Sequence, residues 1–413
     1  MSFSYQNQTL HAESVAITDL MAVYGSPLYV YSRHDIERNW LEFDQAFGQH
    51  PHLVCYAVKA NSNLAVLNTL AKIGSGFDIV SQGELERVLA AGGQANRCVF
   101  SGVAKTKQEI KRALEVGVRC FNVESASELD RIEAIAKSLN TQAPISIRVN
   151  PNVDAKTHPY ISTGLKENKF GVDIDDAMDL YQRAQDSEYL NVQGLDCHIG
   201  SQITEVSPFL DALDKVLTLV EQLNKNGIEI THLDLGGGVG IVYDDERTID
   251  IKAYVEAMIA KVGNIEIILE PGRAVVGNAG IFITKVEFLK QNSEHSFAII
   301  DGAMNDLLRP SFYNAYHQVL PVNENSNGIQ ASWDLVGPIC ETGDFLAKDR
   351  DLSLSQGDYL ALMSAGAYGF TMSSNYNSRP RVAEVMVDGD QHHLVRERET
   401  IQDLFYNESI ING

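Results

Sequence analysis

Basic charge is what this sequence has least of. Its 413 residues hold 33 Lys and Arg against 55 Asp and Glu, a formal charge of −22. Nucleic acid and anionic membrane both demand basic surface, so neither is expected as a partner. An anionic ligand would have to be captured by local groups, not by the overall field. Long apolar runs are missing too: no stretch reaches about 18 residues, so no transmembrane helix is expected. The opening MSFSYQNQTLHAES has neither a basic stretch nor an apolar core, so no secretory signal is expected. Cysteine is sparse. Cys55, Cys98, Cys120, Cys197 and Cys340 are odd in number and scattered, with no CxxC and no Cys/His cluster, so no metal site is expected. These absences together suggest a reduced, cytoplasmic chain.

What remains is ordinary globular material, 44% hydrophobic and 21% charged, in a chain too long for one small core. From residue 34 to about 280 short apolar runs alternate with amphipathic stretches. The strand candidates are 53–58, 76–80, 98–100, 120–123, 145–149, 191–198, 232–235 and 266–269. Helical patterns lie between them at 63–73, 81–91, 107–116, 125–139, 173–186, 207–226 and 251–261. Eight such units predict an α/β fold of (β/α)₈ barrel type, with a doubly wound open sheet as the alternative. The absence of an early dinucleotide fingerprint favours the barrel. After residue 280 the runs become β-rich with few helical patterns, which predicts a separate all-β domain over 281–413. The segment PLYVY (27–31) reads as a strand, so residues 1–33 are expected to join that domain and 34–280 to form the barrel.

The stretch VCYAVKAN (54–61) ends an apolar strand in a lysine. Most lysines at such positions simply turn out to solvent. A buried amine that loses its proton is instead a nucleophile. In a barrel the active site lies at the C-terminal strand ends, and the unusual residues keep to that register. Lys59 follows the first strand, Asp78 lies near the end of the second, and Arg148 near the end of the fifth. His198 in HIGSQ follows the sixth, Gly236, Gly237 and Gly238 follow the seventh, and EPGR (Glu270, Pro271, Gly272, Arg273) follows the eighth. A glycine triplet alone is as often a plain turn, but here it suits a backbone cradle for phosphate, with the Ser201 hydroxyl as a further donor. Arg273 suits a phosphate or carboxylate, and Glu270 a cationic ring nitrogen. His198 alone is more often a core histidine than a catalyst. An amine for an aldehyde, a cradle for a phosphate and a carboxylate for a pyridine nitrogen are together the needs of pyridoxal 5′-phosphate. The β domain adds Arg309 and Tyr313 in MNDLLRPSFYNAYH, Cys340 and Glu341 in GPICETGD, and Tyr368 in GAYGFTMSSNYNSRPR. Pro338 and the flanking glycines mark a loop around Cys340. Two nearby acids disfavour a resting thiolate, so the residue reads as a proton donor.

These blocks, with GFDIVSQGEL and RVNPNVDAKTHPYISTGLKENKFG, run in order over nearly the whole chain, and the sequence resembles the fold type III, alanine racemase-like, pyridoxal phosphate-dependent decarboxylases. The resemblance implies a cofactor-bearing barrel, a C-terminal β domain and a homodimer with shared active sites. It implies that Lys59 carries the cofactor and that His198 stacks on its ring. Ser201, the Gly236–238 amides and the EPGR turn would serve the phosphate region, with Asp78 and Arg148 in the same cofactor set. Glu270 would pair with the pyridine nitrogen, and Tyr368 would also touch the cofactor. Arg273, Arg309, Tyr313, Glu341 and Tyr368 match substrate positions, and Cys340 matches the proton donor, with Cys340 and Glu341 supplied by the neighbouring subunit. Thr342 and Asn152 depart from the usual serine and aspartate without removing a functional group. Arginines beside Glu341 favour an amino-acid substrate whose far end carries both an ammonium and a carboxylate. Ornithine or carboxynorspermidine is the alternative substrate. A racemase, or a non-catalytic regulatory homologue, fits less well, because Lys59, Glu270, Arg273 and Cys340 are all present.

Overall fold

The structure is a computed structural model that describes residues 2–154, 168–325 and 327–411. It divides into two compact units. One comprises Glu37–Ile241 and Glu246–Val275; the other comprises Met1–Ile36, Val242–Asp245 and Val276–Gly413.

The first unit is a parallel barrel. Its strands are His52–Ala57, Gly76–Ile79, Cys98–Phe100, Cys120–Val123, Ala143–Asn150, Leu190–Asp196, His232–Asp234 and Glu266–Leu269. Each pairs in parallel with its successor. The eighth pairs back with the first, Ile268 opposite Leu53, which closes the cylinder. That last pairing excludes the open doubly wound sheet. The strands read as continuous apolar runs because both their faces are buried. Leu53, Cys55, Val99, Cys120 and Ile268 form an apolar cluster of their own.

Local chemistry fixes where the helices after the first four strands start. Asn63, Ser81, Thr106 and Ser125 accept hydrogen bonds from amides in the first turn of the helices Leu64–Lys72, Gln82–Ala90, Lys107–Val116 and Ala126–Ser138. Thr106 and Glu109 complete a capping box. These caps hold the loops that leave the C-terminal strand ends, which is where the polar residues gather. A two-residue strand, Val172–Asp173, is added beside the fifth. Much of the RVNPNVDAKTHPYISTGLKENKFG block, 155–167, lies outside the described residues.

The second unit is mostly sheet. Its longest strand, Gly280–Gln291, runs antiparallel to Leu28–Ser32, Tyr359–Leu362 and Ser296–Ile300, with a register shift near Val286. Leu28–Ser32 also runs parallel to Ala383–Asp388, so the PLYVY segment is an interior strand of this sheet. Ile329–Val336 and Phe345–Leu354 form a hairpin. Leu28, Val30, Ile281, Ile283, Ala361 and Val385 share one buried core with Ile17 and Leu20 of the helix Ile17–Tyr24. Residues 3–16 fold into a small three-stranded sheet that the sequence reading did not anticipate. No helix among the described residues is long and apolar enough to cross a membrane.

Candidate active site

The first barrel strand hands over to a single 3₁₀ turn, Val58–Ala60, that carries Lys59. Its Nζ donates to Oδ2 of Asp78 at 2.6 Å. Asp78 sits on the adjacent strand, with Ala57 as its register partner. The Lys59 side chain is 37% exposed and that of Asp78 is 0%. An apolar strand can therefore end in lysine because a buried carboxylate meets the ammonium, while the lysine itself still reaches the open rim. Gly272 packs against this turn; an added Cβ would lie 3.0 Å from that of Ala57 and 3.1 Å from that of Ala60.

The loops after strands six, seven and eight are stitched together. Nδ1 of His198 accepts from the Gly237 amide at 3.1 Å, so the ring is neutral with its proton on Nε2. Burial, then Arg148 and Lys59, hold the His198 pKa well below the usual imidazole value. Ile203 donates to the Gly238 carbonyl and accepts from the Gly240 amide, both at 2.9 Å. Each glycine of the triplet is required by space: an added Cβ would lie 2.5 Å from His198 Nδ1 at Gly236, 2.1 Å from the Glu270 carbonyl oxygen at Gly237, and 2.3 Å from the Gly200 carbonyl oxygen at Gly238. Two of the three amides are spent inside the protein, Gly236 on Asp234 Oδ1 at 3.0 Å and Gly237 on His198. Arg273 donates to the Ser201 hydroxyl at 3.1 Å, and Pro271 accepts from the Ala57 amide at 3.2 Å.

Carboxylates crowd the same rim. Arg148 donates to Glu124 at 3.0 Å and stands 3.7 Å from Asp196. Glu124 also accepts from the Gly171 amide at 2.7 Å. Asp234 accepts from Asn122 at 3.2 Å and is hydrogen-bonded to Glu270. Burial, reinforced by neighbouring acids, pushes Asp196 and Glu270 well above the usual carboxylate range, and burial raises Asp234 to about 6. One oxygen of Glu270 and one of Asp78 are buried with no hydrogen-bond partner among the described residues. Asn122, Glu124, Asp196 and Asp234 did not come out of the sequence reading. They were findable: each lies at the C-terminal end of a predicted strand, the same rule that singled out Asp78.

The remaining residues named from the sequence belong to the sheet unit. Cys340 and Glu341 sit on the turn of the Ile329–Val336/Phe345–Leu354 hairpin. The Cys340 amide donates to Asn377 Oδ1 at 3.0 Å, and the Tyr376 hydroxyl donates to Glu341 at 2.5 Å. Cys340 is exposed, whereas Cys55, Cys98, Cys120 and Cys197 are buried core thiols. Arg309 and Tyr313 begin and end a five-residue helix. Tyr368 holds a left-handed backbone at φ 56°, an uncommon and strained state for a bulky side chain.

The family described as "Pyridoxal-dependent decarboxylase, pyridoxal binding domain" matches residues 33–277, which span the whole barrel. The diaminopimelate decarboxylase of Haemophilus influenzae is 57% identical over 412 residues, 99% of each chain. This chain belongs to the diaminopimelate decarboxylases. Solved structures of that family share the fold. Diaminopimelate decarboxylase from Helicobacter pylori, complexed with L-lysine, aligns with a TM-score of 0.92 at 42% identity, over 95% of this chain and 99% of that one. The M. jannaschii diaminopimelate decarboxylase in co-complex with L-lysine aligns with a TM-score of 0.94 at 38% identity, over 99% of this chain and 98% of that one. Diaminopimelate decarboxylases are pyridoxal phosphate enzymes, so the cofactor read from the sequence is that of the family.

Proposed function

We propose that this chain decarboxylates meso-2,6-diaminopimelate at its D-configured end, releasing CO₂ and L-lysine, the last step of lysine biosynthesis. Full-length identity to diaminopimelate decarboxylases supports the substrate. The observation that carries the chemistry is Glu270. Its carboxyl is buried, one oxygen has no partner among the described residues, and its surroundings favour the protonated acid. Such a group fits a ring nitrogen that must keep a proton. Lys59, paired with Asp78 at the same rim, fits the cofactor aldehyde.

Pyridoxal phosphate, when bound, supplies the electron sink that loss of CO₂ requires. The chain's own residues divide the remaining work. Lys59 anchors the cofactor, and Asp78 fixes where the amine stands. Glu270 holds a proton at the ring nitrogen, with Asp234 behind it. His198 presents a neutral ring as a stacking face, kept in place by the Gly237 amide. Ser201, Arg273, Gly238 and the Pro271–Gly272 turn serve the phosphate, and Arg148 offsets the surrounding acids. Arg309, Arg273, Tyr313, Glu341 and Tyr368 receive the far end of the substrate, cations for its carboxylate and Glu341 for its ammonium. The Cys340 thiol gives a proton to Cα after CO₂ has left. We further propose a cytoplasmic homodimer in which Cys340 and Glu341 act in the partner's site; the exposed turn that carries them and the five free thiols support this.

CO₂ release from meso-diaminopimelate, L-ornithine and carboxynorspermidine by the purified holoenzyme tests the substrate, and a preference for ornithine would overturn it. Lys59→Ala should lose the visible absorbance of the bound cofactor and at least about 10³-fold in turnover. Cys340→Ala should keep the absorbance and lose about 10²- to 10³-fold. Mixing the two variants should restore about a quarter of wild-type turnover if sites are shared across a two-fold dimer, and nothing if each chain works alone.

A further inference from the structure

His317 is fully buried in the sheet unit, and both its ring nitrogens are engaged. Nδ1 lies 2.7 Å from the Met363 carbonyl oxygen and Nε2 lies 2.8 Å from a guanidinium nitrogen of Arg309. A carbonyl can only accept and a guanidinium can only donate. The proton is therefore on Nδ1, and the lone pair of Nε2 faces Arg309. The tautomer is set by the backbone on one side and read by the arginine on the other. The Arg309 guanidinium also lies over the ring of Tyr243, 4.4 Å from its centre. The Tyr243 and His317 rings meet edge to face at 5.4 Å. One group thus holds the guanidinium by a directional hydrogen bond and the other by a π face. Neither is an anion, so both orient the cation without neutralising it.

We infer that His317 is a positioning residue that, with Tyr243, aims the Arg309 guanidinium at the carboxylate on the far end of the substrate. This rests on the reading of Arg309 as a substrate-binding residue. A hydrogen bond from a charged donor to a buried acceptor is among the stronger kinds, and losing the acceptor removes this directional hold on the guanidinium. A histidine that served packing alone would not distinguish ligands by whether they carry that carboxylate.

Three substitutions separate the two ring nitrogens. His317→Gln returns an acceptor near the position of Nε2, His317→Asn returns a donor near Nδ1 without reaching Arg309, and His317→Leu returns neither. Two ligands of the holoenzyme separate the carboxylate: L-lysine carries it, and 1,5-diaminopentane is the same chain without it. Calorimetric affinities are expected to show L-lysine weakened about ten- to hundredfold in His317→Asn and His317→Leu, but only about fivefold or less in His317→Gln. Affinity for 1,5-diaminopentane and the visible absorbance of the cofactor should stay at wild-type levels. The KM for meso-diaminopimelate should rise much more than kcat falls. Equal weakening of both ligands, or Asn rescuing better than Gln, would overturn the inference. Arg309→Gln serves as the control. If it leaves L-lysine affinity unchanged, the reading of Arg309 fails and this inference with it; if it weakens L-lysine while the His317 variants do not, only this inference fails.

Discussion

His232 and Asp234 stand two residues apart on the seventh barrel strand and point to the same side, yet one marks the N-terminal end of the barrel and the other its C-terminal rim. Both are buried. Burial drives them in opposite directions for one reason, that the interior disfavours charge: it lowers the His232 pKa to about 3 and raises that of Asp234 to about 6. The difference lies in what surrounds them. His232 faces Gly194, where an added Cβ would lie 2.2 Å from its Nε2, and that nitrogen has no hydrogen-bond partner among the described residues. Asp234 faces the Gly236 amide, Asn122 and Glu270. The two ends are equally unfriendly to charge. The rim tolerates acids because amides, amines and shared protons are built around them, and that same construction suits it to a ligand with a nitrogen to protonate.

The comparison can be broken most sharply at Glu270. Glu270→Gln should lower turnover about 10²- to 10³-fold while leaving urea unfolding of the cofactor-free protein unchanged or slightly more favourable to the fold, because the carboxyl is already driven toward its neutral form. A large loss of stability instead would mean that the rim depends on a charged Glu270. A smaller effect comes from matched glycines. Gly237→Ala at the rim and Gly194→Ala at the opposite end should each lower the melting temperature, Gly237→Ala more, since its Cβ meets backbone whereas that of Gly194 meets a side chain. Only Gly237→Ala should weaken cofactor binding, about tenfold or more, as measured by fluorescence titration; equal weakening would erase the division between the two ends.

His232→Leu should leave turnover and cofactor affinity unaltered. Its effect is on acid stability. Between about pH 3 and 6.5 the unfolded chain protonates this histidine and the folded one does not, so folding becomes less favourable as pH falls through that window. Removing the imidazole should remove roughly 3–5 kcal/mol of acid-induced destabilisation at full titration. Urea titrations at pH 4 and pH 7 read this as a smaller gap between the two pH values in the variant; an unchanged gap would show that the imidazole titrates normally.

Much of this architecture is written in the sequence. The eight barrel strands stand out because each is a short apolar run, and after the first four the chain turns into a helix with its own cap, as at Thr106 and Ser125. The rim residues stand out when they come in company: EPGR, GGG and HIGSQ are legible as blocks. Single polar letters are harder. Asn122, Asp196 and Asp234 each look like any residue at the end of a strand, and only closure of the sheet shows that Asp196 meets Arg148, Asp234 meets Glu270 and Asn122 meets Asp234. The glycine amides are illegible for a related reason. The letters show that Gly236 and Gly237 permit close approach, but not that Asp234 and His198 have already taken their N–H groups. Residues 3–16 were missed because strands of two to four residues carry too little periodicity to read.

The strand Leu28–Ser32 lies between Gly280–Gln291 and Ala383–Asp388, so its partners are encoded far downstream of it. On the ribosome this apolar segment emerges early and must wait through the synthesis of the whole barrel before either neighbour exists. The barrel residues are nearly continuous in sequence and have no such delay. Order of synthesis therefore imposes an order of assembly: the barrel can close while its own chain is still tethered, and the sheet unit is completed only after Ala383–Asp388 has been made. Until then an unpaired edge of Leu, Tyr, Val and Tyr is what chaperones would have to shield.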